Sequence, residues 1–132
     1  MARPPTEGMT ERETQIMEVL WRAGAASAER IRQELPDDPH DSTVRTLLRI
    51  LENKGYVKHV IRGKVYVYRP AVRKASAERK VLLNVIKRFF GGSAEALVLR
   101  LIEDEHVTPE QLEHLKERAN ATESKHRTGE KS

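Results

Sequence analysis

The chain has 132 residues, 38% hydrophobic and 33% charged with only 5% aromatics, which points to one small domain with an appendage, packed mainly through aliphatic side chains. It has no Cys, so disulfides and thiolate metal sites are excluded. The opening stretch MARPPTEGMT lacks the apolar run of a signal peptide and no segment reaches membrane-spanning length, so a soluble cytoplasmic protein without membrane insertion is expected despite the modest net charge of +4.

The first predicted helix is TERETQIMEVLWRAG. Thr10 and Glu13 have capping-box spacing, Ile16, Val19 and Leu20 form an apolar stripe widened by Met17 and Trp21, and Gly24 stops the helix. The intervening AAS could form a short strand. SAERIRQELPDD reads as a second, short helix with Ser27 as N-cap, Ile31 and Leu35 facing inward and Pro36 as terminator. After the turn cluster PDDPHD, Asp41 or Ser42 is expected to cap a third helix that closes at Gly55. YVKHVIRGKVYVYRP then gives two β-rich runs, Tyr56–Ile61 and Val65–Arg69, around a tight turn at Gly63. Tyr66 and Tyr68 alternate with Val65 and Val67, so one pair should pack inward and the other lie on the surface.

After Pro70 the pattern becomes purely helical. ASAERKVLLNVIKRFFGG places Val81, Leu82, Val85, Ile86 and Phe89 on one side and ends at Gly91-Gly92. SAEALVLRLIEDE follows, with Ser93 as N-cap and Leu97, Val98, Leu101 and Ile102 apolar. TPEQLEHLKERA has Thr108 as N-cap, Pro109 at the first position, Gln111 completing a capping box, and Leu112 and Leu115 as its apolar residues. Three short helices cannot enclose these faces alone, and a second copy of the chain is the simplest cover. The expected class is mainly α with a small β-hairpin: a winged helix-turn-helix over 1–70, a helical dimerisation region over 71–120 and a flexible tail over 121–132.

The third helix is two-faced. Val44, Leu47, Leu48 and Leu51 follow the i, i+3, i+4, i+7 spacing of a buried stripe, while the other side carries Ser42, Thr43, Arg45, Thr46 and Arg49. Solvated faces normally mix charge signs to gain i,i+4 pairs, and this face reads as lacking them. Its surroundings are cationic as well. Residues 42–74 hold nine Lys/Arg against Glu52 alone, a net of +8, whereas residues 1–41 carry five Lys/Arg and nine Asp/Glu, and residues 75–132 ten of each. An Arg/Thr face is by itself more often just solvated; helix-turn-helix order, a wing and a concentrated basic block together point to duplex DNA.

The major groove admits one helix whose Arg reaches guanine O6/N7 and whose small hydroxyls allow close approach. Arg45 and Thr46 are centred for base contact. Ser42 and Thr43 lie at the helix N-terminus, which favours phosphate, and Arg49 and Lys54 lie further along beside the backbone. Arg62 and Lys64 flank the wing turn and could reach an adjacent phosphate or the minor groove. The rival from another class is a winged helix that docks an acidic protein partner. Double-stranded RNA fits poorly, because its major groove is inaccessible.

TERETQIMEVLWRAGAASAERIRQEL, STVRTLLRILENKGYV, GKVYVYRP and FFGGSAEALVLRLIEDE together resemble the penicillinase-repressor (BlaI/MecI) family of winged-helix repressors, which includes the copper-responsive CopY branch. The likeness runs from about Met9 to Ala119, and its most specific marks are Leu20-Trp21, Thr43–Leu48 and Gly91–Leu99. The resemblance implies a homodimer joined through the C-terminal helices that binds an inverted-repeat operator and blocks transcription, with Thr43, Arg45 and Thr46 contacting the operator. It also implies a membrane sensor with a zinc-protease domain and cleavage after LVL, here the Arg100-Leu101 bond. The antibiotic-responsive branch has Asn and Phe at those two positions, so this chain departs at both. The copper branch carries a Cys-rich C-terminal motif, which this chain lacks.

The five His residues (His40, His59, His106, His114 and His126) show no HExxH or tight cluster, and the paired acids of IEDEH sit at a helix end where exposed carboxylates are common. No phosphate loop or nucleophile elbow is present, so no catalytic residue, metal or cofactor is expected.

Overall fold

The computed structural model describes residues 8–130, with side chains through residue 123. It forms two compact units, the first running to Leu82 and the second beginning at Leu83.

Helix α1 (Glu11–Ala23) starts on the expected capping box: Thr10 Oγ1 accepts from the Glu13 N–H at 3.1 Å, and Glu13 Oε1 accepts from the Thr10 N–H at 2.8 Å. A two-residue strand β1 (Ala26–Ser27) leads directly into α2 (Ala28–Glu34), whose Arg30 N–H is accepted by Ser27 Oγ. Helix α3 (Asp41–Lys54) follows after a turn in which Asp37 and Asp38 take positive φ. The cap expectation for α3 fails by one residue: His40 is the N-cap, with no side-chain cap bond, and Asp41 is already helical. Asp41 is unavailable as a cap because its carboxylate turns back to Arg45.

Gly55 closes α3 at φ +90°, a left-handed turn that an L side chain would strain. The chain thereby swings Tyr56 into the core, and its N–H donates to Leu51 O at 2.9 Å. Strands β2 (Val57–Arg62) and β3 (Val65–Pro70) pair antiparallel around the turn at Gly63, and β1 adds to the far edge of β3, giving the order β1-β3-β2. The extra strand suggested by AAS is therefore present.

The core of this unit is a three-helix junction. Ile16, Met17 and Leu20 of α1, Ile31 of α2, and Val44, Leu48 and Leu51 of α3 are all fully buried. Each such side chain contributes about 1.5–3 kcal/mol of transfer free energy. Val72 and Ala77 pack on the same cluster, and Trp21 Nε1 donates to Val72 O at 3.0 Å. The domain break expected at Pro70 therefore lies later, inside helix α4 (Lys74–Phe89), because the chain after the wing returns to cover α1.

The second unit contains the end of α4, then α5 (Ala94–Glu103) and α6 (Pro109–Glu130). Ser93 and Thr108 cap as expected; the Thr108 N–H donates to Gln111 Oε1 and the Gln111 N–H to Thr108 Oγ1. The tail expected from residue 121 is instead a continuation of α6 to Glu130. A segment without apolar residues cannot bury a face, but Ala, Glu, Lys and Arg still favour helical backbone. Among the described residues, no helix is long and apolar enough to cross a membrane.

Candidate nucleic-acid interface

The fold turns one face of α3 wholly outward. Val44, Leu48 and Leu51 anchor the helix, and Ser42, Thr43, Arg45, Thr46 and Arg49 are all exposed. Every expected base-contact residue thus lies on one accessible surface, held by a helix that cannot rotate without breaking the core.

The expectation that this face lacks intrahelical ion pairs is wrong. Arg45 Nε donates to Asp41 Oδ2 at 2.7 Å, an i,i+4 pair, which raises the Arg45 pKa above its already high ordinary value. The spacing is legible in the sequence, where Asp41 is also one of two candidate caps, with Ser42. The pair leaves the Arg45 terminal nitrogens without a bonded partner among the described residues, so the guanidinium is oriented and still able to grip a second acceptor.

The remaining cations divide sharply. Lys54, expected beside phosphate, is committed inward: its Nζ lies 3.1 and 3.2 Å from the Glu13 carboxylate oxygens. Lys74 pairs with Glu18 at 3.1 Å. Arg49, Arg62 and Lys64, by contrast, have no acidic partner among the described residues and are exposed. Ser42 shares that exposure at the first turn of α3, where the Thr43 N–H already donates to His40 O at 3.1 Å.

The wing projects beyond the body of the unit, and burial along β3 rises toward its root. Val65 is 51% exposed, Tyr66 44% and Tyr68 only 7%. The expected division into an inward pair and an outward pair therefore does not hold, because only the base of the hairpin has protein packed on it. Tyr66 and Tyr68 share one face of the ribbon with His59. The His59 ring stacks on Tyr66 at a centroid distance of 4.5 Å and an interplanar angle of 7°, and its Nδ1 lies 2.7 Å from Glu52 Oε2 on α3. Burial, followed by the nearby Glu52 charge, pushes the Tyr68 phenol up. These contacts tie the wing to α3, and no short-range spacing in the sequence announces them.

Of the apolar residues expected to mediate self-association, only Ile86 is buried. Val85, Leu97, Leu101, Ile102 and Leu112 are half-buried, and Val81, Leu82, Phe89, Val98 and Leu115 are exposed, Phe89 at 72%. Leu83 and Leu99, which sequence reasoning passed over, are exposed as well. The Arg100-Leu101 bond lies within α5, so its backbone is helical. His106 and His114 line a shallow groove with Val107, Glu110, Gln111 and Leu115, but no group of three or more metal-ligating side chains forms among the described residues.

Comparison with known proteins matches this architecture. The family model described as penicillinase repressor covers residues 9–121. The methicillin resistance regulatory protein MecI of Staphylococcus aureus (strain N315) is 27% identical over 113 residues, 84% of this chain and 92% of that one. The penicillinase repressor of Bacillus licheniformis is 25% identical over 109 residues, covering 81% and 85% of the two chains. Among solved structures, the DNA binding domain of the repressor BlaI superposes with a TM-score of 0.50 at 26% identity, covering 57% of this chain and 92% of that one.

Proposed function

The chain belongs to the penicillinase repressor family, a family of transcriptional repressors and not of enzymes, and from that premise we propose how it represses. It is a homodimeric, sequence-specific DNA-binding protein that places α3 in the major groove of an inverted-repeat operator and excludes polymerase sterically. The observation that carries this reading is the outward face of α3: hydroxyls and two Arg exposed opposite the fully buried Val44, Leu48 and Leu51 and the half-buried Leu47.

Thr43, Arg45 and Thr46 read base edges, and Ser42, Arg49, Arg62 and Lys64 contact phosphates. Lys54 leaves the contact set, because Glu13 holds its ammonium. The exposed apolar residues of α4, α5 and α6, Phe89 foremost, support pairing with a second copy. Linking two half-site contacts multiplies effective concentration, so separating the C-terminal helices releases DNA without touching α3. Induction by a membrane sensor with a zinc-protease domain would act there. Cutting at Arg100-Leu101 requires local unwinding of α5, a helix with no residue buried within the single chain.

A gel shift of the full chain on genomic fragments with a salt titration tests the reading. Retention of a few fragments at salt concentrations that release the bulk is the expected result. Uniform release would remove sequence specificity, and no binding at any salt would favour docking of an acidic protein instead.

A further inference from the structure

A cleft of about 340 Å³ opens between α3 and the wing, lined by Arg45, Arg49 and Glu52 on the helix and by Tyr66 and Tyr68 on β3. Three of its features bear on the contact set above, and one of them, Tyr66, lies outside it. Arg49 enters it with no hydrogen bond or ion pair among the described residues. Tyr66 faces it from the opposite wall, and its hydroxyl likewise has no hydrogen-bond partner there, although its ring is restrained by the His59 stack. Glu52, the sole acid of residues 42–74, also lines the cleft, and its Oε2 is already engaged by His59 at 2.7 Å.

Among the described residues, the unengaged polar groups lining this cleft are mostly donors: the Arg49 guanidinium, the terminal nitrogens of Arg45 and the Tyr66 hydroxyl, against one free carboxylate oxygen of Glu52, so the cleft is net positive. These donors can all bond a ligand group that offers only acceptors, and a phosphodiester, charged and present at every step of the duplex, is such a group. Resting on the duplex-binding reading and deepening it, we infer that one DNA backbone phosphate seats in this cleft, gripped jointly by Arg49 and the Tyr66 hydroxyl. Tyr66 is thereby a DNA-binding residue, and the wing engages the duplex at its middle as well as at its Arg62–Lys64 tip. The phosphate bridges recognition helix and wing, so the two elements bind as a unit.

The test is a filter-binding salt titration of the full chain on a random-sequence duplex, because a phosphate contact is blind to sequence. Tyr66→Phe keeps the ring and its stack while removing the hydroxyl. It is expected to weaken binding about fivefold at every salt concentration, with the salt slope unchanged, because a neutral donor displaces no counterion. Arg49→Ala is expected to weaken binding and lower the slope by about one. In the double variant the combined loss is smaller than the product of the single losses, since both side chains hold one phosphate. A Tyr66→Phe chain that binds like the parent, or losses that simply multiply, would overturn the shared phosphate while leaving duplex binding in place. A parent chain that retains no duplex would overturn the duplex-binding reading and this inference with it.

Discussion

Lys54 Nζ lies 3.1 Å from Glu13 Oε1 and joins the last turn of α3 to the first turn of α1 across a site where Glu13 is only 1% exposed. The same carboxylate caps α1 by accepting from the Thr10 N–H. Burial pushes the Glu13 carboxyl up, but the Thr10 N–H and the Lys54 ammonium together outweigh it and hold the group below its ordinary value of 4.5. A depressed folded-state pKa contributes stability above the unfolded-state value that is lost as pH falls through the folded-state value. Acid titration followed by circular dichroism should therefore show stability declining below about pH 4.5. Glu13→Gln should remove part of that decline, and an unchanged acid limb would assign it to other carboxylates.

Removing only the cation should be more damaging than removing the acid. Lys54→Ala leaves Glu13 charged, buried and without its ammonium, a change that costs about 3–5 kcal/mol at neutral pH. Urea denaturation measures it directly. A loss under about 1 kcal/mol, the size of an exposed pair, would mean that the carboxylate is solvated after all.

On the proposed reading, Arg45 and Asp41 act on selectivity rather than on stability. Arg45→Ala should cost about 1–3 kcal/mol on operator and far less on random duplex, read by competition binding. Asp41→Asn removes a negative charge beside the groove and the tether on Arg45, so random-duplex affinity should rise while discrimination falls. If both duplexes lose equally with Arg45→Ala, that side chain touches only phosphate.

At the wing tip, Arg62→Ala and Lys64→Ala should each weaken all duplexes and reduce the salt slope by about one. Both side chains are exposed, so melting temperature should be unaffected. An unchanged slope would take the tip off the DNA.

Truncation should separate folding from assembly. A fragment ending at Pro70 loses the Val72 carbonyl that accepts from Trp21 and the Ala77 methyl packed on the core. It should melt lower than a fragment ending at Leu82 by about 4–8 °C for each kcal/mol lost. The longer fragment should fold fully yet bind operator poorly, since it lacks the helices proposed to pair two copies. Sedimentation of the full chain carrying Phe89→Asp should likewise shift toward monomer. Full-strength operator binding by the Leu82 fragment would discard release through the C-terminal helices.

Most of the fold was legible because its signals are local. Capping at Thr10, Ser27, Ser93 and Thr108, the stop at Gly55 and the apolar spacing of α3 depend on residues within a turn or two of each other. The helix-turn-helix order, the wing and the outward Arg/Thr face followed from them. The departures have two origins. The Asp41–Arg45 pair is a one-turn spacing that the sequence does show, whereas the Glu13 partner of Lys54, the packing of Val72 and Ala77 beyond Pro70 and the uneven burial of the wing are all decided in three dimensions.

By itself, then, the order of residues determined which segments become helix or strand and which face of α3 must be buried, since hydrophobic periodicity and capping act over a few residues. Tertiary structure alone decided which charges remain available. Lys54 and Glu13 are 41 positions apart, and Trp21 and Val72 51. Only chain closure, driven by burial of the shared core, brings such groups within bonding distance, leaving Arg49 open where Lys54 is taken.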